Sequence, residues 1–127
     1  MIISRLSAMK NVKDVVRAFQ LVVEQISEAK FGIYGSGKDE NNIKVEIEKC
    51  NSQNHVVPKG YTHKLSDEFQ KACLTISTPS FEGLGFSNLA LSNGCPVVTY
   101  GYDYGVEIHL CSAGKNSISA KYKTVCH

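Results

Sequence analysis

Short apolar runs alternate with amphipathic helical spacing along most of this chain, and the alternation predicts an α/β protein. The expected form is a Rossmann-like parallel sheet of about five strands with helices on both faces. Two further observations agree. Basic, glycine-rich and acidic segments follow the apolar runs, which is where ligands bind in open parallel sheets. With 127 residues, 43% of them hydrophobic, the chain is long enough for one ordinary core and too short for two.

Met1 to Ser4 reads as a short buried strand. Val12, Val15, Val16, Phe19, Val22, Val23 and Ile26 then recur at three- and four-residue spacing, which puts one apolar stripe on a helix from about Val12 to Glu28. Phe31 to Tyr34 is the second strand, and Ile43, Ile47 and Cys50 mark a second amphipathic helix. His55 to Val57 is the third strand. After Gly60-Tyr61-Thr62 comes a helix carrying Leu65, Phe69 and Ala72, and Leu74 to Ser77 is the fourth strand. A short helix from about Phe86 to Ser92 leads to the fifth strand, Pro96 to Tyr100, where proline is tolerated only at the start because it cannot donate to the ladder. From Cys111 onward there is no periodicity, so the expected organisation is one domain over 1–110 and a loose basic tail over 111–127.

A formal charge of +2 is too small to argue for nucleic acid as a partner. The five cysteines, at 50, 73, 95, 111 and 126, include no Cys-x-x-Cys pair and have no metal-ligand spacing to any histidine. No metal site is expected, and a reducing, cytoplasmic location fits best. The N-terminus has no signal pattern, and no apolar run approaches the roughly 20 residues of a spanning helix. Cys73 and Cys95 fall in apolar runs and read as small core residues rather than nucleophiles.

The stretch from Thr78 to Val98 carries the strongest chemical signal: a lone acidic residue, Glu82, then Gly83-Leu84-Gly85 opening an apolar helix. Glycines let backbone N–H groups approach a ligand, the positive end of the helix favours anionic groups, and the carboxylate can accept hydrogen bonds from sugar hydroxyls. Arg5 and Lys10 follow the first strand and can reach a diphosphate, although such a pair taken alone reads by default as surface charge. Gly32 through Lys38 has the Gly-x-x-x-x-Gly-Lys spacing of a P-loop, but Asp39 replaces the hydroxyl residue that would hold magnesium, and Gly32 would lie inside a strand. A tight turn is the default for Gly35-Ser36-Gly37. His63 can line a base pocket or cap the helix beginning near Lys64.

Together these segments resemble the donor-binding, C-terminal domain of retaining GT-B glycosyltransferases. Arg5 to Lys10 looks like their Arg-x-x-x-x-Lys segment, Ile33-Tyr34-Gly35-Ser36-Gly37 like their second strand and loop, and Lys59-Gly60-Tyr61 like the approach to their base pocket. Glu82-Gly83-Leu84-Gly85-Phe86 and Gly94-Cys95-Pro96-Val97-Val98 are similar to their acidic motif and the strand after it, in matching order across about residues 2 to 108. Within the family the chain is most similar to bacterial poly(glycerol-phosphate) alpha-glucosyltransferases, which act on wall teichoic acid, and to enzymes that glycosylate adhesins. The resemblance implies a UDP-sugar donor, UDP-glucose or UDP-N-acetylglucosamine, and no further cofactor. Arg5 and Lys10 would stabilise the diphosphate, Glu82 would hold the sugar as the catalytic-site carboxylate, and Gly83, Leu84 and Gly85 would support the donor. Gly35, Ser36, Gly37, Tyr61 and His63 complete the implied binding set.

The chain also departs from that pattern. The family motif places a second Glu after the position of Leu89, and here Ala90 comes directly, as though one residue were deleted. Deleting a helical residue rotates the residues beyond it by roughly 100°. Beyond His109 the resemblance is expected to end. A donor half needs an acceptor half, so a separately encoded N-terminal domain is an expected partner, and these residues alone are expected to be inactive. The alternatives are a non-catalytic remnant or interaction module of the same fold and, further off, a P-loop hydrolase.

Overall fold

The computed structural model describes residues 1–78, 85–100 and 117–120. The elements run β1 (Ile2–Ile3), a 3-10 turn (Ala8–Lys10), α1 (Val12–Gln25), β2 (Phe31–Tyr34), α2 (Glu40–Lys49), β3 (Val56–Gly60) and α3 (Leu65–Lys71). They continue with β4 (Thr75–Ser77), α4 (Gly85–Ser92), β5 (Val97–Tyr100) and β6 (Ser117–Ala120). Every strand pair among the described residues is parallel, as the alternation of strand and helix requires. The described residues fall into two units, one holding Met1–His63 with Thr78, the other Lys64–Ser77 with the residues from Gly85 onward.

In the first unit the sheet order is β1-β2-β3. β2 is central, and its Phe31 and Ile33 are buried. β3 lies at the edge, which is why Pro58 is tolerated within it, and Lys59 is skipped in the pairing between Ile33↔Pro58 and Tyr34↔Gly60. Phe19 of α1 packs against Phe31 with ring centroids 5.2 Å apart. The apolar stripe of α1 is buried at Val12, Val15, Val16 and Phe19. It does not continue inward as its spacing predicts. Val22, in the last turn, and Ile26, which is past the helix end and 58% exposed, both face out. Burial depends on what lies opposite the helix, and spacing alone does not report that. α2 buries Ile43 and Ile47 and is tied to α1 by polar contacts: Arg17 Nε donates to Glu46 Oε1 at 2.6 Å, and Gln20 Nε2 donates to the Cys50 carbonyl at 2.7 Å.

In the second unit the order is β4-β5-β6, with Thr75↔Val97 and Val97↔Ser117 in register. Thr75 N–H donates to the carbonyl of Pro96, placing that proline just before the strand. Phe69 of α3 meets Phe86 of α4 at 5.7 Å, and Ala90, Cys95 and Val97 are buried. Two expectations are corrected here. Cys73 is exposed, because it sits in the turn between α3 and β4 rather than in the strand. Ser117–Ala120, within the segment read as loose, forms a sixth strand, since a parallel ladder is made by backbone groups and leaves little signature in a sequence with one large apolar residue.

This packing sets two expected outcomes. Phe31→Ala should cost about 3–5 kcal/mol in urea unfolding, whereas Ile26→Ser should change stability by under about 0.5 kcal/mol. The Arg17 hydrogen bond holds the Glu46 carboxyl below its usual range. A carboxyl whose pKa is depressed on folding adds stability above its unfolded value, about 4.3, and loses it as pH falls through the lower folded value. Glu46→Gln should therefore flatten the acid limb of the stability curve, read as unfolding midpoint against pH.

Candidate functional site

Because β1, β2 and β3 are adjacent and parallel, the segments that leave their carboxyl ends emerge side by side on one edge. Arg5 to Asn11 comes after β1, Gly35 to Asp39 after β2, and Tyr61 to His63 after β3. The first two are in backbone contact. Ser4 N–H donates to Tyr34 O, Leu6 N–H to Ser36 O, and Asp39 N–H to Leu6 O at 3.0 Å. Gly35 N–H also donates to the carbonyl of Gly60, the last residue of β3, at 2.8 Å.

This closeness requires glycine. Gly35 has φ +124°, and a Cβ there would lie 1.8 Å from the carbonyl oxygen of Ser4; at Gly37 it would lie 2.1 Å from that of Leu6. Both distances are far inside van der Waals contact, so no side chain fits without moving the backbone. Gly35 and Gly37 thus seat the segment that carries Arg5 and Lys10. Their N–H groups are already used, that of Gly37 by Glu40 Oε1 at 2.9 Å. With Gly32 inside β2 and the Glu40 carboxylate and buried Asp39 at the start of α2, this loop is not a phosphate cradle of the P-loop type.

Arg5 is exposed on this edge, and Lys10 ends the 3-10 turn. Tyr61 is 70% exposed and stands edge-on to the His63 ring, centroids 4.8 Å apart. His63 does not cap α3, whose N-cap is Lys64 with no side-chain capping bond. Glu82, Gly83 and Leu84 lie outside the described residues. Gly85 opens α4 in the second unit, and a Cβ there would meet nothing within 4 Å, so no neighbouring atom among the described residues demands a glycine. Burial raises the thiol pKa of both Cys50 and Cys95, which disfavours the thiolate and any nucleophilic role.

Two residues that sequence reading missed belong to this edge. The Asn11 side chain donates to the carbonyl of Thr78 at 2.9 Å, and the Thr78 hydroxyl donates to the carbonyl of Lys10 at 3.1 Å. Asn11 has φ +51°, a left-handed conformation that asparagine tolerates better than most residues. The Lys-Asn pair hints at such a turn, but its partner at position 78 is 67 residues away from Asn11 and leaves no local signal.

Parallel strands alternating with helices, with cations and aromatics on segments at the strands' carboxyl ends, define a Rossmann-like domain of the kind that forms the C-terminal half of GT-B enzymes. The chain belongs to the group 1 glycosyl transferases, whose family model matches residues 1–121. It is 55% identical over 122 residues to the poly(glycerol-phosphate) alpha-glucosyltransferase of Bacillus subtilis, covering 95% of this chain and 18% of that protein. To the poly(ribitol-phosphate) alpha-N-acetylglucosaminyltransferase of Staphylococcus aureus it is 35% identical over 107 residues, covering 81% of this chain and 21% of that one. It superimposes with a TM-score of 0.90 and 28% identity on a mutant of S. aureus TarM solved with UDP, fondaparinux and alpha-GlcNAc-glycerol, over 97% of this chain and 25% of that one. The chain thus spans about a fifth of the length of these curated relatives. The likeness also runs past His109, where the motifs stop, because the family match continues to residue 121.

Gly35→Ala should lower stability by about 2 kcal/mol or more, since the added methyl must displace backbone as well as strain φ. Urea unfolding that leaves the midpoint unchanged would show that the two segments are not packed as described.

Proposed function

We propose that this chain is the donor-binding half of a glycosyltransferase that moves a hexose from a UDP-sugar to an acceptor such as wall teichoic acid or a glycoprotein. The observation that carries the reading is the gathering of Arg5, Gly35–Gly37, Tyr61 and His63 at the carboxyl ends of three adjacent parallel strands, in a chain of the group 1 family. Arg5 and Lys10 would balance the diphosphate charge without a metal, by a fork of donors and a point charge respectively. The exposed Tyr61–His63 pair offers an aromatic surface for the base. Gly35, Ser36 and Gly37 would contribute shape rather than donors, because the N–H groups of both glycines are taken. Glu82 would hold the sugar, with Gly83, Leu84 and Gly85 supporting the donor.

The reading has relatives to support it: the two curated proteins transfer sugars to polyol-phosphate polymers by their names, and the TarM structure contains UDP. The acceptor would be bound by a separate half of the cleft, supplied by a partner or by further chain. Aligning two substrates needs both halves, so the 127 residues alone should not turn over a UDP-sugar. A non-catalytic, partner-binding role is the second reading, favoured by the acidic motif being one carboxylate short at Leu89-Ala90. No helix among the described residues is long and apolar enough to cross a membrane, and a cytoplasmic location is part of the proposal.

Calorimetric titration should show UDP, UDP-glucose or UDP-N-acetylglucosamine binding in preference to ADP and GTP, with no magnesium requirement. Absence of UDP binding by the folded chain would favour the second reading. Inserting a Glu between Leu89 and Ala90 should raise UDP affinity about tenfold, on the order of 1.4 kcal/mol, by restoring a charge-assisted bond to the ribose. Glu82→Gln should weaken the UDP-sugar more than free UDP.

A further inference from the structure

We propose that Asn11 and Thr78 are positioning residues that set Lys10 for the donor diphosphate, an assignment that rests on the donor-binding reading above. Lys10 ends the 3-10 turn, and Asn11 then reverses the chain in a left-handed conformation before α1 begins. Asparagine at a helix N-cap ordinarily accepts a hydrogen bond from the first turn, but the Asn11 side chain makes no such bond. Its amide instead donates to Thr78 O, while the buried Thr78 hydroxyl donates to Lys10 O. The two bonds form a reciprocal clamp across 67 and 68 residues of sequence, made to the lysine's own backbone and to the residue after it.

Forgoing the helix cap leaves α1 without the side-chain bond that would best stabilise its end. What the clamp secures is the direction in which the chain leaves position 10. A lysine is a point charge on a flexible stem, and its pull on a phosphate depends on where its backbone is fixed. Gly35 and Gly37 hold the start of this segment at Ser4 and Leu6, and Asn11 with Thr78 holds its end. The basic segment is therefore anchored on both sides of its two cations.

The test is calorimetric titration of UDP into the 127-residue chain at low and moderate salt, with Lys10→Ala, Thr78→Val, Thr78→Ser, Asn11→Gly and the Lys10→Ala/Thr78→Val double variant. Thr78→Val should weaken UDP about three- to tenfold, the size expected for a lost hydrogen bond, and should flatten the salt dependence as Lys10→Ala does. Thr78→Ser keeps the hydroxyl and should bind as the parent does. Asn11→Gly keeps the left-handed backbone but loses the amide, and should behave like Thr78→Val. The double variant should bind no worse than Lys10→Ala alone, because a clamp that acts through Lys10 has nothing left to position. Additive losses, or a Thr78→Val variant with unchanged affinity and salt slope, would overturn the positioning role while leaving the donor reading intact. No UDP binding by the unsubstituted chain would overturn both.

Discussion

Two backbone carbonyls occupy the space where side chains would stand at positions 35 and 37, and the arrangement of the candidate site depends on that steric fact. The segment after β1 can lie on the segment after β2 only if the second presents bare backbone. Once they touch, Leu6 bonds to Ser36 and Asp39 bonds to Leu6, so the polar groups of two connections are satisfied by each other. Gly35 N–H then donates to the carbonyl of Gly60, so the connection after β2 is bonded both to the segment after β1 and to the last residue of β3. The segments after β1 and β2 are thus tied to each other by backbone hydrogen bonds rather than left to solvent.

Arg5 is exposed, where its field is screened within about 10 Å in moderate salt. A solvated cation selects a diphosphate weakly unless its position is prepared in advance, because ordering a long side chain consumes much of what the charge contributes. The Tyr61–His63 pair applies the same principle to aromatic surface, since each ring restrains the other.

Arg5, Lys10, Tyr61 and His63 belong to the first unit, while α4 and Gly85 belong to the second. In α4 the buried positions include Ser87 and Ala90, while Leu89 is 37% exposed. The chain's length, about a fifth of its curated relatives, means that the fold is represented by a small share of the residues that make up those proteins.

Period and punctuation made much of this legible without coordinates. The spacing of Val12 to Phe19, the Phe31 to Tyr34 run, the helix around Ile43 and Ile47 and the strand from Val97 are local patterns, dictated by which residues of a short segment can face a core. The basic, glycine and acidic segments were equally local, and the parallel order placed the first of them on one edge. What local pattern did not contain was any term for the partner across space. The exposure of Val22 and Ile26 depends on what lies opposite the helix, the exposure of Cys73 on the turn between α3 and β4, and β6 on a backbone ladder with β5. The glycines show the difference most clearly. Sequence alone reads Gly35-Ser36-Gly37 as a turn or a ligand loop, and only the tertiary structure shows that Ser4 and Leu6 carbonyls fill the missing side chains' space, because excluded volume is a property of two segments and not of one.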